Sequence, residues 1–182
     1  MPPAGLVLAI SGPVCAGKTT LADNLKIRGN TEVLSTRALL VTRASTAARA
    51  ALQQCGDKLD REEGGSWVAT PVAELRRSLG SSRTVIVDAV RTLAQVTALR
   101  QVSGEVVHIH LTAADAILAR RYEAKAAEHP ELELANYDAV RRHPTEGAVR
   151  ALDAAADLIL DTGVLAIPET LDRVSQLLKD RS

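Results

Sequence analysis

Eight residues near the start of the sequence have the types and spacing of a phosphate-binding loop. Residues 12–19 read Gly-Pro-Val-Cys-Ala-Gly-Lys-Thr and match the pattern G-x-x-x-x-G-K-[ST]. In such a loop, backbone N–H groups surround phosphate oxygens, and the glycines permit the turns and the close approach. We expect Lys18 to reach the β- and γ-phosphates of ATP and Thr19 to place a hydroxyl on Mg²⁺. The predicted nucleotide-binding residues are Gly12, Pro13, Val14, Cys15, Ala16, Gly17, Lys18, Thr19 and Thr20.

A carboxylate at the end of an apolar run is the second candidate. Residues 84–87 form a β-branched run that ends in Asp88. In a sheet that carries a phosphate-binding loop, such an acid lies near Lys18 and Thr19 and can hold a water bound to Mg²⁺. The alternative is an ordinary turn or cap residue, because strand ends often carry an aspartate. We predict that Thr19 and Asp88 form the magnesium site.

The elements that must position these residues follow from the hydrophobic pattern. Short apolar runs alternate with longer helical patterns, which indicates a parallel sheet in a three-layer α/β/α domain. We predict five strands and one domain over residues 1–182. The predicted strands are residues 6–11, 31–36, 84–87, 106–111 and 158–160, and the predicted helices are 18–26, 38–54, 67–79, 92–101, 113–128 and 168–179. Residues 56–66 are predicted as a loop, and residues 129–145 interrupt the pattern with two prolines and many charges.

Composition limits the classes of partner. The 182 residues carry 22 Lys+Arg and 22 Asp+Glu, so no basic excess favours nucleic acid or an anionic membrane. Aromatic residues are 2%, too few for a platform that stacks single-stranded bases. Cys15 and Cys55 give neither a disulfide framework nor a metal cluster. The first residues show no signal-peptide pattern. We expect a cytoplasmic monomer or homodimer without a nucleic-acid or membrane partner.

Arginines at predicted strand ends are candidates for holding an acceptor phosphate. Arg91 stands three residues after Asp88, at the sheet edge where ligands bind in open α/β folds. A guanidinium also suits the bidentate geometry of a phosphate. Arg37 follows the second predicted strand and is similarly placed. The alternative for each is a solvated arginine at a helix start.

Two further residue types in the predicted loop and the following helix could recognise an acceptor. Asp57 and Asp60 could hydrogen-bond a sugar or a base, or could be ordinary loop acids. Trp67, the only tryptophan, could stack on an acceptor ring or pin its helix to the core. His108 and His110 alternate in the fourth strand, and we expect them to be structural because no other metal ligands are nearby.

Several segments resemble the nucleoside monophosphate kinases of the adenylate kinase-like group. Residues 35–40, Ser-Thr-Arg-Ala-Leu-Leu, resemble the S-T-G-D-x-L stretch that opens the acceptor-binding arm. Residues 88–95 resemble D-G-x-P-R-T-x-x-Q, and the D-x-R form of the deoxynucleotide kinases is closer still. Residues 118–125 resemble the R-x-x-x-R helix that enters the lid, and residues 157–162 fit the last strand. The sequence departs from the family at Val41, Ala89 and Lys125, which replace an arginine, a glycine and an arginine.

The resemblance implies an acceptor-binding arm at residues 37–79 and a short lid at residues 119–147. It also implies which of two adjacent arginines faces the site: by the family spacing this is Arg121 rather than Arg120. One of three lid arginines is expected to close on the donor phosphates, and the sequence does not choose among Arg141, Arg142 and Arg150. The predicted catalytic residues are Lys18, Asp88, Arg91 and Arg121. The predicted acceptor-binding residues are Arg37, Asp57, Trp67 and Arg91.

Three functions are compatible with these residues. The first is transfer of the ATP γ-phosphate to a nucleoside or deoxynucleoside monophosphate, with Mg²⁺ as cofactor. The second is the same transfer to another small metabolite or a natural-product alcohol, which would need a nearby general base. The third is a slowly hydrolysing ATP switch. The short chain and its helical arms favour a kinase over a switch.

Overall fold

A computed structural model describes residues 5–80, 83–129 and 136–180 of the chain. The strands in these ranges are β1 Val7–Ser11, β2 Thr31–Ser35, β3 Thr84–Asp88, β4 Val106–Thr112 and β5 Leu158–Asp161. The helices in the same ranges are α1 Lys18–Ile27, α2 Thr36–Ala44, α3 Arg49–Glu63, α4 Ser66–Leu79, α5 Leu93–Ser103, α6 Asp115–Glu128, α7 Tyr137–Arg141, α8 Pro144–Arg150 and α9 Ile167–Lys179. A 3-10 turn at Ala151–Ala155 leads into β5.

The described strands form one parallel sheet in the order β2-β3-β1-β4-β5. The central strand β1 is buried along its whole length, which explains its continuous apolar run. The predicted five-stranded parallel α/β fold is confirmed. Because parallel strands all point the same way, Ser11, Ser35 and Asp88 reach the same edge of the sheet.

Helices cover both faces of this sheet and create two cores. Alternate residues of β1 point to opposite faces, so Leu8 and Ile10 enter one core while Val7 and Ala9 enter the other. The first core is completed mainly by α1, α6 and α9, and the second mainly by α3, α4 and α5. This arrangement is the predicted three-layer architecture.

The region between β2 and β3 differs from the prediction. The helix predicted at residues 38–54 is two helices, because α2 ends at Ala44 and the next residue, Ser45, has the left-handed conformation with φ 51°. The loop predicted at residues 56–66 is wrong, since α3 continues to Glu63. Leu52 and Leu59 are both buried, whereas Lys58 and the charged residues 61–63 at the end of α3 are exposed. The polar residues form the solvent face of an amphipathic helix rather than a loop.

The interrupted stretch at residues 129–145 also contains helices. Asn136 begins α7, and its side chain accepts a hydrogen bond from the Ala139 N–H at 2.8 Å. Pro144 occupies the first turn of α8, where a missing N–H costs nothing. Residues 130–135 of the predicted lid lie outside the described residues.

Among the helices of the described ranges, none has the length and apolar character needed to cross a bilayer. The cytoplasmic location, the oligomeric state and the assignment of residues 1–182 to one domain stay predictions.

The junction between α3 and α4 depends on a glycine that packs against α5. A Cβ added at Gly65 would collide with the carbonyl oxygen of Ala94 and with the backbone of Gln95. We expect Gly65→Ala to lower the free energy of unfolding by about 3 kcal/mol, since backbone atoms cannot yield as a side chain can. Chemical denaturation would measure this. The control is Gly147→Ala in α8, where an added Cβ meets nothing within 4 Å. Equal stability of the two variants would contradict the packing described.

Candidate active site

The loop between β1 and α1 has the shape of an anion cradle. Gly12 has φ 143°, and a Cβ there would collide with the carbonyl oxygen of Leu111. Gly17 has φ 91° and lies directly before α1. These two glycines let the loop pass over the end of β4 and turn into the helix. The loop amides and the N-terminus of α1 therefore face the same space, which favours a bound phosphate.

Lys18 lies folded over this loop. Its Nζ donates to the carbonyl oxygens of Gly12 at 2.8 Å and Pro13 at 2.7 Å. Burial, and to a lesser extent the nearby Arg91 guanidinium, lowers the pKa of Lys18 from 10.5 to about 8. A phosphate beside the ammonium would raise the pKa of Lys18 and so oppose the effects of burial and of Arg91. The charged form of Lys18 would therefore be stabilised by a bound anion.

Thr19 and Asp88 meet as the sequence predicts. The Thr19 hydroxyl donates to the Asp88 carboxylate with an Oγ1–Oδ2 distance of 2.9 Å. A hydroxyl and a carboxylate oxygen are ligands that Mg²⁺ accepts, directly or through water. No group of three or more His, Cys, Asp or Glu side chains that could hold a metal occurs in the described parts of the chain. The pair thus fits a magnesium ion that takes its other ligands from water and a nucleotide.

Arg121 is the arginine of its pair that faces the loop. It donates to the carbonyl oxygen of Cys15 at 3.3 Å and to the hydroxyl and carbonyl oxygens of Thr162 at 3.0 and 2.7 Å. Arg120 is exposed on α6. Thr162 donates in turn to the Ala16 carbonyl oxygen at 3.0 Å. The sequence predicted Arg121 but missed Thr162, because a threonine after a short strand carries no distinguishing signal.

Two histidines support the loop from behind. The Ala155 carbonyl oxygen can only accept, so His108 donates to it through Nδ1 at 3.2 Å. His108 Nε2 then accepts from the Ser11 hydroxyl at 2.7 Å, and Ser11 accepts from His110 Nδ1 at 2.9 Å. Burial lowers the pKa of both imidazoles, that of His110 to about 4, so both are neutral near pH 7. These contacts fix the residue that immediately precedes Gly12.

A small pocket lies between α3, α4 and the start of α5. Three of the four predicted acceptor-binding residues line it, namely Asp57, Trp67 and Arg91. Arg37 does not join them: it is exposed and donates to the Ala47 carbonyl oxygen at 3.4 Å. Val90, the residue before Arg91, donates its N–H to the Ile10 carbonyl oxygen of β1 at 2.9 Å, so the pocket adjoins the strand that leads into the phosphate-binding loop.

The pocket wall is a polar network that the sequence revealed only in part. Asp60 accepts hydrogen bonds from Trp67 Nε1 at 2.7 Å and from Gln95 Nε2 at 2.9 Å. Gln95 accepts in turn from the backbone N–H of Arg91 at 2.8 Å. Trp67 is 3% exposed, so it packs in the core and borders the pocket at once. Gln95 is buried and had no signal beyond its place in the resemblance.

The lid arginines are held in ion pairs. Arg141 and Arg150 contact Asp115 with N–O distances of 3.3 and 2.6 Å, and Arg142 contacts Asp138 at 3.9 Å. Arg150 is the one that borders the loop, because it lines a second cleft together with Pro13.

An acid from α8 reaches the loop itself. The backbone N–H of Val14 donates to Glu146 Oε2 at 3.0 Å. Glu146 is 9% exposed, and its negative charge raises the pKa of Lys18. Nothing in the sequence singles out Glu146, since it is one of many charged residues in its stretch.

The sheet order, the covering helices and the loop together define an α/β P-loop kinase fold. A family model described as an AAA domain matches residues 8–142, more than half of the 182 residues, and the chain belongs to this family. The sequence has no match among curated proteins.

Solved structures share this fold at low identity. A shikimate kinase from Bacteroides thetaiotaomicron is 18% identical with a TM-score of 0.65, covering 96% of this chain and 98% of its own. A sugar kinase from Janibacter sp. HTCC2649 is 16% identical with a TM-score of 0.60, covering 97% and 95%. A gluconokinase from Sinorhizobium meliloti 1021 is 12% identical with a TM-score of 0.57, covering 99% and 93%. The resemblance found in the sequence is confirmed for the P-loop fold, and its nucleotide acceptor stays a proposal.

The lowered pKa of Lys18 predicts proton uptake when ATP binds. In the free protein at pH 8 about half of the Lys18 side chains are neutral, and a bound phosphate should protonate nearly all of them. We expect uptake of about half a proton per ATP at pH 8 and weaker binding as the pH rises further. Calorimetry in buffers with different ionisation enthalpies would measure it. Lys18→Arg is the control because its guanidinium stays charged. Wild-type binding without uptake would contradict the assignment.

Proposed function

We propose that the protein is an ATP-dependent kinase that transfers the γ-phosphate to a small acceptor bound in the pocket beside Arg91. The observation that carries the proposal is the position of Arg91. Its side chain lines the pocket between α3 and α5, and its charge acts on Lys18 of the phosphate-binding loop. A kinase must present an acceptor to a donor phosphate and balance the charge of both.

The donor side is supported by the loop and its neighbours. Lys18 and the loop amides would hold the β- and γ-phosphates of ATP, and Arg121 ties the loop to the segment after β5. Thr19 and Asp88 would hold Mg²⁺, which would supply positive charge to offset the negative charge of the transferring phosphoryl group. In the transfer, an acceptor oxygen forms a bond to the γ-phosphorus while the bond to the ADP oxygen breaks.

We favour a nucleoside or deoxynucleoside monophosphate as the acceptor. Arg91 offers a guanidinium, which suits a phosphate group better than a neutral hydroxyl. Trp67 and Asp60 also line the pocket, and the Asp60 carboxylate can accept N–H and O–H donors. An acceptor with an anionic end and a hydrogen-bond-donating end matches this polarity, as a nucleotide does.

A phosphate-free alcohol is the second candidate. Asp57 and Gln53 also line the pocket, so its wall is rich in groups that could bind hydroxyls. The names of the similar structures, a shikimate kinase, a sugar kinase and a gluconokinase, support an acceptor of this chemistry. Such an acceptor would lose its hydroxyl proton during the transfer, and a carboxylate near the loop would take it.

A panel of acceptors tests the proposed function. Nucleoside monophosphates, deoxynucleoside monophosphates and sugar-like polyols are each mixed with MgATP, and ADP release is measured. We expect at least one class to raise ADP release far above the rate without acceptor. Lys18→Ala should abolish the transfer and leave the fold intact, because Lys18 begins α1 and belongs to neither apolar core. Release that no acceptor stimulates would favour an ATP switch and refute the kinase.

Arg91→Ala separates the two candidate acceptors. For a phosphorylated acceptor we expect kcat/KM to fall roughly 100-fold, as for a charge contact worth about 3 kcal/mol. ATP affinity should change little, since Lys18 and the loop amides carry it. A phosphate-free alcohol should lose much less. Arg77→Ala, an exposed arginine of α4 outside the pocket, is the control. Equal loss of ATP affinity and turnover would assign Arg91 to the donor side.

A further inference from the structure

A carboxylate is bound where a phosphate-binding loop should bind phosphate. Glu146 of α8 accepts the Val14 N–H at 3.0 Å, and Val14 lies inside the pattern of residues 12–19. The N–H groups of such a loop are the donors that surround phosphate oxygens. The contact joins residues that are 132 positions apart in the chain. It therefore requires α8 to be folded down onto the loop.

Burial makes this contact costly unless the loop supplies compensation. Glu146 is 9% exposed, and a buried carboxylate is unfavourable unless it is hydrogen-bonded or paired with a cation. Here it accepts the Val14 N–H at 3.0 Å, one of the donors that a phosphate would use, and its negative charge favours the protonated form of Lys18. Lys18 Nζ itself is hydrogen-bonded to loop carbonyls. The carboxylate thus satisfies one N–H donor of the loop.

We propose that Glu146 occupies a phosphate subsite of the loop in the nucleotide-free protein and must be displaced when ATP binds. The inference rests on the proposed function in that the loop must bind a nucleotide. Residues 143–150, which we name the strap, then cover the loop and are held there by the Glu146 carboxylate. We call this closed arrangement the cap. ATP then binds with an affinity reduced by the free energy of opening the cap.

The strap also touches the acceptor side. Gln53 of α3 donates to His143 Nδ1 at 2.6 Å, and the Thr145 hydroxyl lies 3.5 Å from Asp57 Oδ1. Thr145 lines the acceptor pocket together with Asp57. Release of Glu146 from the loop would pull on these contacts, because it is the next residue after Thr145. Nucleotide binding is therefore expected to alter the wall of the acceptor pocket.

A role as general base predicts a different geometry. A base that deprotonates an acceptor hydroxyl must direct its oxygen at that hydroxyl. Glu146 does not line the acceptor pocket, and its Oε2 is engaged by a loop amide. The two roles also differ in readout: a displaced cap changes nucleotide affinity, whereas a base changes kcat.

Binding measurements on charge variants test the cap. The affinities of ATP and of magnesium pyrophosphate are measured by calorimetry for wild type, Glu146→Ala and Glu146→Gln. We expect Glu146→Ala to bind both at least about tenfold more tightly, the size of a lost hydrogen bond to a charged group. Glu146→Gln should gain less, because its amide oxygen can still accept from Val14. The control is Glu123→Ala, which removes an exposed acid of α6.

Hydrogen exchange gives a second readout that does not depend on activity. In wild type, the amides of the strap should exchange faster once ATP or pyrophosphate is bound, because the strap has been released. In Glu146→Ala they should exchange fast without any ligand. The near-isosteric Glu146→Gln keeps the test valid if the alanine variant fails to fold.

The outcomes separate the cap from the proposed function. Tighter binding together with a released strap supports the cap. Unchanged or weaker nucleotide binding by both Glu146 variants refutes it, as does tighter binding with a strap that stays protected, which would indicate only repulsion between like charges. If neither wild type nor the variants bind ATP or pyrophosphate, the proposed function is refuted. In that case, slow amide exchange of the strap in ligand-free Glu146→Ala would also show that the contact between Glu146 and Val14 does not hold the strap on the loop.

Discussion

The steric fit of Gly12 against the end of β4 is the constraint on which the rest of the site depends. Only a residue without a Cβ can pass the Leu111 carbonyl oxygen there. This passage lets the loop turn from the central strand into α1, and it keeps Ser11 in reach of the two histidines behind it. It also sets where the loop amides point. The positions of Lys18 and Thr19 follow, because α1 begins at the end of the loop.

With the loop in place, the site must balance the positive and negative charges that meet at this edge of the sheet. Lys18 and Arg91 bring positive charge to one edge of the sheet, and burial already lowers the pKa of the lysine. Asp88 and Glu146 are the acids that offset this charge, and both raise the pKa of Lys18. Asp88 is positioned by the register of β3 with β1, whereas Glu146 comes from a helix far along the chain. Asp88 therefore belongs to the sheet, whereas Glu146 can move away from the loop together with its helix under the proposed displacement.

The sequence predicted the parts of the molecule that local rules determine. The loop pattern located Gly12 and Lys18, and the parallel order of the strands follows from alternating apolar runs and helices. It failed where long-range packing decides: a polar stretch around Asp57 and Asp60 is helical because Leu52 and Leu59 are buried on one side of it. Contacts such as Val14 to Glu146 join distant segments and leave no local trace. The predicted position of Asp88 beside Thr19 is observed because the register of β3 with β1 is fixed by the fold, and its magnesium role stays a prediction.

The same long-range packing gives the acceptor pocket its polarity. Trp67 and Gln95 donate to Oδ1 of Asp60 at 2.7 and 2.9 Å, while Oδ2 receives only a longer contact from Gln95 at 3.2 Å. A carboxylate oxygen has capacity for more than one donor, so Oδ2 is the atom of this network that can still accept from a ligand. Arg91, joined to Gln95 through its backbone N–H, supplies the opposite charge on the same wall. Under the proposed function, an acceptor that satisfies both must carry an N–H or O–H group at one end and an anion at the other. A neutral polyol would offer the guanidinium no anion, and a bare anion would offer Oδ2 no hydrogen-bond donor.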